Sequence, residues 1–138
     1  MQHSDAEKIL PSEEEPAGQT LAVTAESLFL VNLLLLPGVA FIILLVLYLR
    51  NKKHGALLAQ CHLRQAVYGS IWAGAMLIIV NGIILLLGGY HSPFTWMIVI
   101  IYFITIHASL IYLGTYGLAR AMNGKHYHYP LIGPACPG

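Results

Sequence analysis

The chain has 138 residues, of which 57% are hydrophobic and only 9% are charged. These values exclude an ordinary soluble domain, in which about 25% of residues are charged, because a chain this short could not bury so much apolar surface. The net charge of +1 conceals a segregation, since every acidic residue lies within 1–26 and nearly every basic residue lies after residue 49. The few cations flank apolar segments, so no nucleic-acid partner is expected.

The first predicted region is an acidic, disordered tail over residues 1–26. It combines Pro and Gly with three consecutive Glu at 13–15, a composition that opposes packing. Its acidity is unlike the basic start of a secretory signal. Residues 27–49 are apolar and predict a first membrane-spanning helix, kinked at Pro37 and Gly38.

A basic connection follows over residues 50–65. Its 55–65 part predicts either an extra interfacial helix or the beginning of the second span, with a bend at Gly69. Residues 66–87 predict the second span, because they are long enough to cross a bilayer and Asn81 is their only strongly polar residue. The short turn at 88–93 makes the third span, 94–118, an antiparallel neighbour of the second.

The predicted fold is therefore an all-α integral membrane protein with three transmembrane helices. It forms a single membrane domain over 27–138 that ends in a short C-terminal tail. The basic segments at 50–64 and after 119 lie on one side of three spans, and basic loops favour the cytoplasm. We expect a multi-pass protein of the bacterial inner (plasma) membrane, with its N-terminus outside and its C-terminus in the cytoplasm.

Polar residues within the spans point away from catalysis. No carboxylate lies after residue 26, which argues against a proton relay, a Ser-His-Asp site and a Glu/His dinuclear metal site. His107 in the third span is expected to be a buried neutral imidazole, with a metal or haem ligand as the weaker alternative. His126 and His128 form a weak candidate metal pair, and Cys61 and Cys136 are expected to be reduced. No cofactor other than lipid is expected.

Small and weakly polar residues on the second and third spans indicate close helix packing. The candidates for this packing are Gly69, Ala73, Gly74, Asn81, Thr105, Ser109 and Gly117.

Two segments resemble a known family, HLRQAVYGSI at 62–71 and ARAMNGKHYHYPLIG at 119–133. They are similar to small bacterial membrane proteins of unknown function related to the chloroplast inner-envelope protein-import subunit. The resemblance implies a compact bundle of three or four spans, and the plant relatives are linked to protein import. The residues that carry it are His62, Arg64, Gln65, Ala66, Gly124, Tyr127, Tyr129, Pro130, Ile132 and Gly133.

These observations favour a non-enzymatic accessory or structural subunit that packs against a larger membrane protein complex. A homo-oligomeric pore or a protein-translocation component is the alternative, with a thin polar stripe formed by Asn81, Thr105, His107 and Ser109. A metal- or haem-handling membrane subunit is the second alternative. The expected partners are membrane lipids and either other membrane subunits or further copies of the chain.

Overall fold

The structure is a computed structural model and describes residues 15–137. All regular elements in this part of the chain are helical, which confirms the all-α class. The predicted acidic tail lies largely outside the described residues. The helices are α1 (Gln19–Leu34), α2 (Val39–Asn51), α3 (Leu57–Leu86), α4 (Pro93–Tyr102) and α5 (Ala108–Met122), with a 3₁₀ turn at Gly89–His91 and a π-helical turn at Phe103–His107.

The region expected to be one kinked span is a hairpin of two short helices. α1 starts at Gln19, inside the expected tail, and ends at Leu34, while α2 starts at Val39. Gly38 has a φ of 88°, which a residue with a side chain rarely adopts. Its N–H donates to Asn32 Oδ1 at 2.9 Å. The Pro37-Gly38 pair therefore reverses the chain instead of bending a continuous helix.

α1 lies in the groove between α3 and α5. Its buried residues recur on one face of the helix; they are Ala22, Ala25, Glu26, Phe29 and Asn32. The neighbours of this face fix the directions of the helices. Phe29 packs on Gly69 of α3 and on Gly114 of α5. The start of α1 lies near the start of α3 and near the end of α5. α1 is thus parallel to α3 and antiparallel to α5.

α3 and the α4–α5 segment are the two long apolar helices. Leu57–Leu86 and Pro93–Met122 each have 30 residues and contain an 18-residue stretch with a mean hydropathy of 2.1, enough in length and composition to cross a membrane. α3 runs without a break from Leu57 through Gly69 to Leu86, so residues 57–65 begin this helix and do not form a separate interfacial one. α1 and α2 have 16 and 13 residues, shorter than a usual span of about 20. The structure therefore does not confirm three membrane-spanning helices.

The start of α1 and the end of α5 meet at one end of the bundle, which we call the closed end. There, Gln19 Nε2 donates to the carbonyl of Met122 at 2.5 Å. Gly18 approaches Ala56 and Ala59 just before and within the first turn of α3. The hairpin returns the chain to this end, so the start of α1, the start of α3 and the end of α5 lie together.

Candidate functional site

A buried polar cluster joins three elements at the closed end. Glu26 of α1, His62 of α3 and Tyr129 of the C-terminal tail are each completely buried. His62 Nδ1 lies 2.7 Å from Glu26 Oε1, and the Tyr129 hydroxyl donates to Glu26 Oε2. The carboxylate therefore has a partner on each oxygen, as a carboxylate buried among apolar residues requires.

The protonation of His62 follows from its second contact. Its Nε2 lies 3.0 Å from the carbonyl oxygen of Lys125, which can only accept a hydrogen bond, so Nε2 carries a proton. Nδ1 then either donates to ionised Glu26 or accepts from protonated Glu26. One proton is shared between the two side chains, and the pair has no net charge in either arrangement.

Tyr129 is held in this cluster as a neutral phenol. Burial raises the pKa of Tyr129 well above its ordinary value, and the neighbouring Glu26 carboxylate raises it further. Its ring packs on Phe29 with the centroids 5.6 Å apart. The tail thus places a large aromatic residue inside the bundle and uses its polar end to satisfy a buried acid.

Gln65 fastens the tail to α3 at two points. Its Oε1 accepts from the N–H of Tyr129 at 3.1 Å, and its Nε2 donates to the carbonyl of Pro134 at 2.5 Å. A side chain at Gly133 would collide with the Gln65 amide. Arg64, the residue before Gln65, donates to the carbonyl of Ala135 at 3.2 Å. Residues 64 and 65 therefore bind the tail from one turn of helix.

Two glycines allow the helices to approach this cluster. A Cβ on Gly117 of α5 would lie 2.7 Å from Glu26 Oε2. A Cβ on Gly69 of α3 would lie 3.0 Å from both the Phe29 and Tyr129 rings. Real side-chain carbons are almost never found at the shorter distance, so glycine at 117 is what lets α5 lie against the carboxylate.

The two cysteines lie at the same end of the bundle. Cys61 of α3 and Cys136 of the tail are joined by a disulfide, with their Cα atoms 4.7 Å apart, whereas reduced thiols were expected. His126 lies beside them, and one ring nitrogen and the two sulfur atoms are all within 4.8 Å of one another. His128, the expected partner of His126, is not part of this group.

The buried cluster contains two residues whose positions differ from expectation. His62, named only as part of a family-like motif, is fully buried and hydrogen-bonded on both ring nitrogens. Glu26 was placed in the acidic tail, but it lies within α1 because that helix starts earlier than expected. A signal for this was present in the sequence, since Glu26 continues the apolar face of Ala22, Ala25 and Phe29 at helical spacing.

A second feature is a cleft between the hairpin tip, α3 and the π-helical turn, with a volume of about 850 Å³. We call it the lateral cleft. Its walls are mostly apolar, but Asn32, Ser70, Gly74 and His107 also line it. Ser70 is 5% exposed, and among the described residues its hydroxyl has no hydrogen-bond partner. π-helical turns inside α-helices often mark functional positions.

The remaining candidate packing residues lie in different surroundings. Asn81 bonds to its own helix, at 2.8 Å from the Leu77 carbonyl, and to the Tyr90 hydroxyl. Thr105 and Ser109 donate to carbonyls one turn earlier in their own helix. Nothing lies within 4 Å of a Cβ placed on Gly74.

Other residues of the quoted motifs lie along the tail or in the core. Ala66 is fully buried and Ala73 packs against the core. Gly124 turns the chain out of α5 with a φ of 63°. Tyr127 packs on Tyr116 with the centroids 5.0 Å apart. Pro130 is exposed, at the rim of a smaller cavity that Thr105 and Ser109 also line.

Comparison with known proteins gives one result. The profile of the MamF/MmsF family, described as the magnetosome magnetite crystal formation protein family, matches residues 18–136. No curated protein and no solved structure matches. The expected relation to the chloroplast protein-import subunit is therefore wrong; the part of that expectation that fits is a small bacterial membrane protein.

The family match begins at the start of α1 and ends at Cys136, so it includes every described helix, the buried Glu26 cluster and the tail that closes it. Its extent is well over half of the chain. The family comprises membrane proteins involved in magnetosome magnetite formation and is not a family of known enzymes. This chain belongs to the MamF/MmsF magnetosome magnetite crystal formation protein family.

Proposed function

We propose that this protein is a non-enzymatic accessory subunit of the magnetosome membrane that packs, through the lateral cleft, against an apolar helix of another membrane protein. The observation that carries this proposal is the composition of the cleft. A surface that faces only lipid tails gains nothing from a serine hydroxyl, an asparagine, a histidine and a glycine in one place. Interfaces between membrane helices are enriched in such small and weakly polar residues.

The dimensions of the helices support a placement in the membrane. A helix of 30 residues is about 45 Å long, more than the roughly 30 Å of a hydrocarbon core. α3 and α4–α5 therefore cross the bilayer, with their excess length at the closed end. The α1–α2 hairpin, about 24 Å and 20 Å along its two arms, enters from the closed end and returns to it.

The charges support an orientation for this arrangement. The basic residues near the closed end are Arg50, Lys52, Lys53, Arg64, Arg120 and Lys125. The opposite turn at 88–93 has no Lys or Arg. Because basic loops favour the cytoplasm, the closed end faces the cytoplasm, and the hairpin places the start of α1 there together with the C-terminal tail.

The test is site-specific photo-crosslinking in native membranes. A photoreactive residue replaces Ile78, which lines the lateral cleft and is 74% exposed. The expected product is a discrete protein adduct, whose mass distinguishes a second copy of the 15.1 kDa chain from a different protein. The matched control is Leu86, on the same helix, 87% exposed and outside the cleft.

Blocking the cleft gives a second measurement. Gly74→Leu should abolish the Ile78 adduct, because the new side chain projects into space that is empty in this chain. Gly82→Leu makes the same change on the same helix, also into empty space and outside the cleft, and should leave the adduct intact. Equal adducts from Ile78 and Leu86, or only lipid adducts from Ile78, would refute the proposal.

A further inference from the structure

We propose that Cys61, Cys136 and His126, when the cysteines are reduced, form a binding site for a divalent transition-metal cation such as Fe²⁺ or Zn²⁺. The three ligand atoms, two sulfurs and one imidazole nitrogen, lie within 4.8 Å of one another. In a tetrahedral site with metal–sulfur bonds of 2.3 Å, two sulfur ligands are about 3.8 Å apart. Small side-chain rotations therefore suffice to place all three around one cation.

The ligand set matches the chemistry of such cations. Thiolate and imidazole together select borderline-soft divalent metals over Mg²⁺ and Ca²⁺, which require oxygen ligands. Cys61 is completely buried, whereas His126 is exposed and Cys136 is partly exposed. The site is therefore buried on the side of Cys61 and open to solvent on the side of His126, where water or another ligand completes the coordination.

Two side chains of α3 hold the tail segment that carries Cys136. Arg64 donates to the carbonyl of Ala135, the residue before Cys136, at 3.2 Å. Gln65 Nε2 donates to Cys136 Sγ at 3.8 Å. Outer contacts of this kind orient metal ligands.

The disulfide and the metal exclude each other. The S–S bond between Cys61 and Cys136 must be reduced before the two sulfurs can bind a cation as thiolates. Reducing that bond to two thiols takes up two electrons and two protons. A phosphine reductant supplies the electrons and becomes the phosphine oxide, with its oxygen atom taken from water. Cation uptake then releases the thiol protons.

The site goes beyond the proposed function and lies away from the lateral cleft. Cys61 precedes Gly74 by 13 positions on α3, about 20 Å along the helix. The test uses the full chain in nanodiscs, reduced by a phosphine under argon, with Co²⁺ as an optical probe and Fe²⁺ and Zn²⁺ as competitors. We expect one Co²⁺ per chain, with a thiolate-to-metal charge-transfer band that Fe²⁺ or Zn²⁺ displaces.

Variants separate this site from other histidines and thiols. His126→Ala should weaken binding by about tenfold or more, and Cys61→Ser or Cys136→Ser should remove the charge-transfer band. His128→Ala is the matched control, because His128 is exposed, lies two residues after His126 and is outside the group. This variant should bind Co²⁺ with the same affinity as the unaltered chain. Circular dichroism and size-exclusion profiles confirm that each variant is folded.

Three results would overturn the proposal. One is reduced, folded protein without stoichiometric Co²⁺ binding. Another is equal affinity in the His126→Ala and His128→Ala variants. The third is equal binding by reduced protein and by protein with an intact disulfide. A failure of the crosslinking at Ile78 bears only on the lateral cleft and leaves this site unaffected.

Discussion

Replacing Glu26 with alanine should destabilise the protein by about 3–5 kcal/mol, the range for removing one partner of a buried charged pair. The substitution leaves His62 Nδ1 and the Tyr129 hydroxyl buried without their partner. Each unsatisfied group costs about 1–3 kcal/mol. The variant no longer bears the desolvation cost of the buried carboxylate, which offsets part of this loss. The free energy of unfolding is measured by titrating mixed micelles with a denaturing detergent and following helical circular dichroism.

Two companion variants make this prediction specific. Glu26→Gln keeps an oxygen for Tyr129 and offers an amide N–H to neutral His62, so its cost should stay below about 1.5 kcal/mol. Glu15→Ala removes an exposed carboxylate and should change stability by no more than about 0.5 kcal/mol. If Glu26→Ala costs no more than Glu15→Ala, or Glu26→Gln costs as much as Glu26→Ala, the cluster does not hold the bundle together.

Gly117→Ala should lower the free energy of unfolding by about 1–3 kcal/mol, since its methyl would lie 2.7 Å from Glu26 Oε2. Gly82→Ala, with nothing within 4 Å, should be neutral or stabilising, and equal losses in the two variants would contradict the close approach. Because burial raises the pKa of Tyr129, the unfolded chain loses this proton at a lower pH than the folded chain, so stability should hold below about pH 10 and fall above it by up to about 1.4 kcal/mol per pH unit. Tyr129→Phe should remove this part of the slope in unfolding curves between pH 9 and 11, and identical slopes in both chains would exclude a buried phenol. Gln65→Leu should raise the rate of tail proteolysis about tenfold, the effect of weakening its attachment by about 1.4 kcal/mol; an unchanged rate, measured by mass spectrometry, would show that Gln65 does not fasten the tail.

Hydropathy located the two long helices well. The run from Ala66 to Leu87 ends one residue after α3, and the run from Phe94 to Leu118 lies within the helical segment Pro93–Met122. Their length and lack of charge leave few alternatives in a chain so poor in polar residues. The turn at Gly88 was equally clear, since two consecutive glycines and a following proline cannot continue a helix.

Hydropathy could not distinguish a kinked span from a hairpin at Pro37. Both arrangements need apolar residues on either side of the break, and proline at that position is compatible with both. The deciding property is the positive φ of Gly38, which follows from tertiary packing of the two arms.

The buried cluster was out of reach for a different reason. Its contacts join residues 36 and 103 positions apart, and the periodicity of one sequence contains no information about which distant residues meet. Tyr129 and His62 were selected through a resemblance that proved wrong about the family, although the residues themselves lie in the cluster. Glu26 was placed at the end of the tail, directly before the first predicted span, where an acid suits the N-terminus of a helix.

The order of synthesis gives the Glu26 cluster a consequence for assembly. Tyr129 leaves the ribosome 103 residues after Glu26, roughly 5 to 20 s later at typical elongation rates. During that interval the acid has no phenol to satisfy it, and α5, which forms one wall of its groove, is unfinished. The native packing of α1 around its buried carboxylate is therefore completed only after the tail that carries Tyr129 has been made.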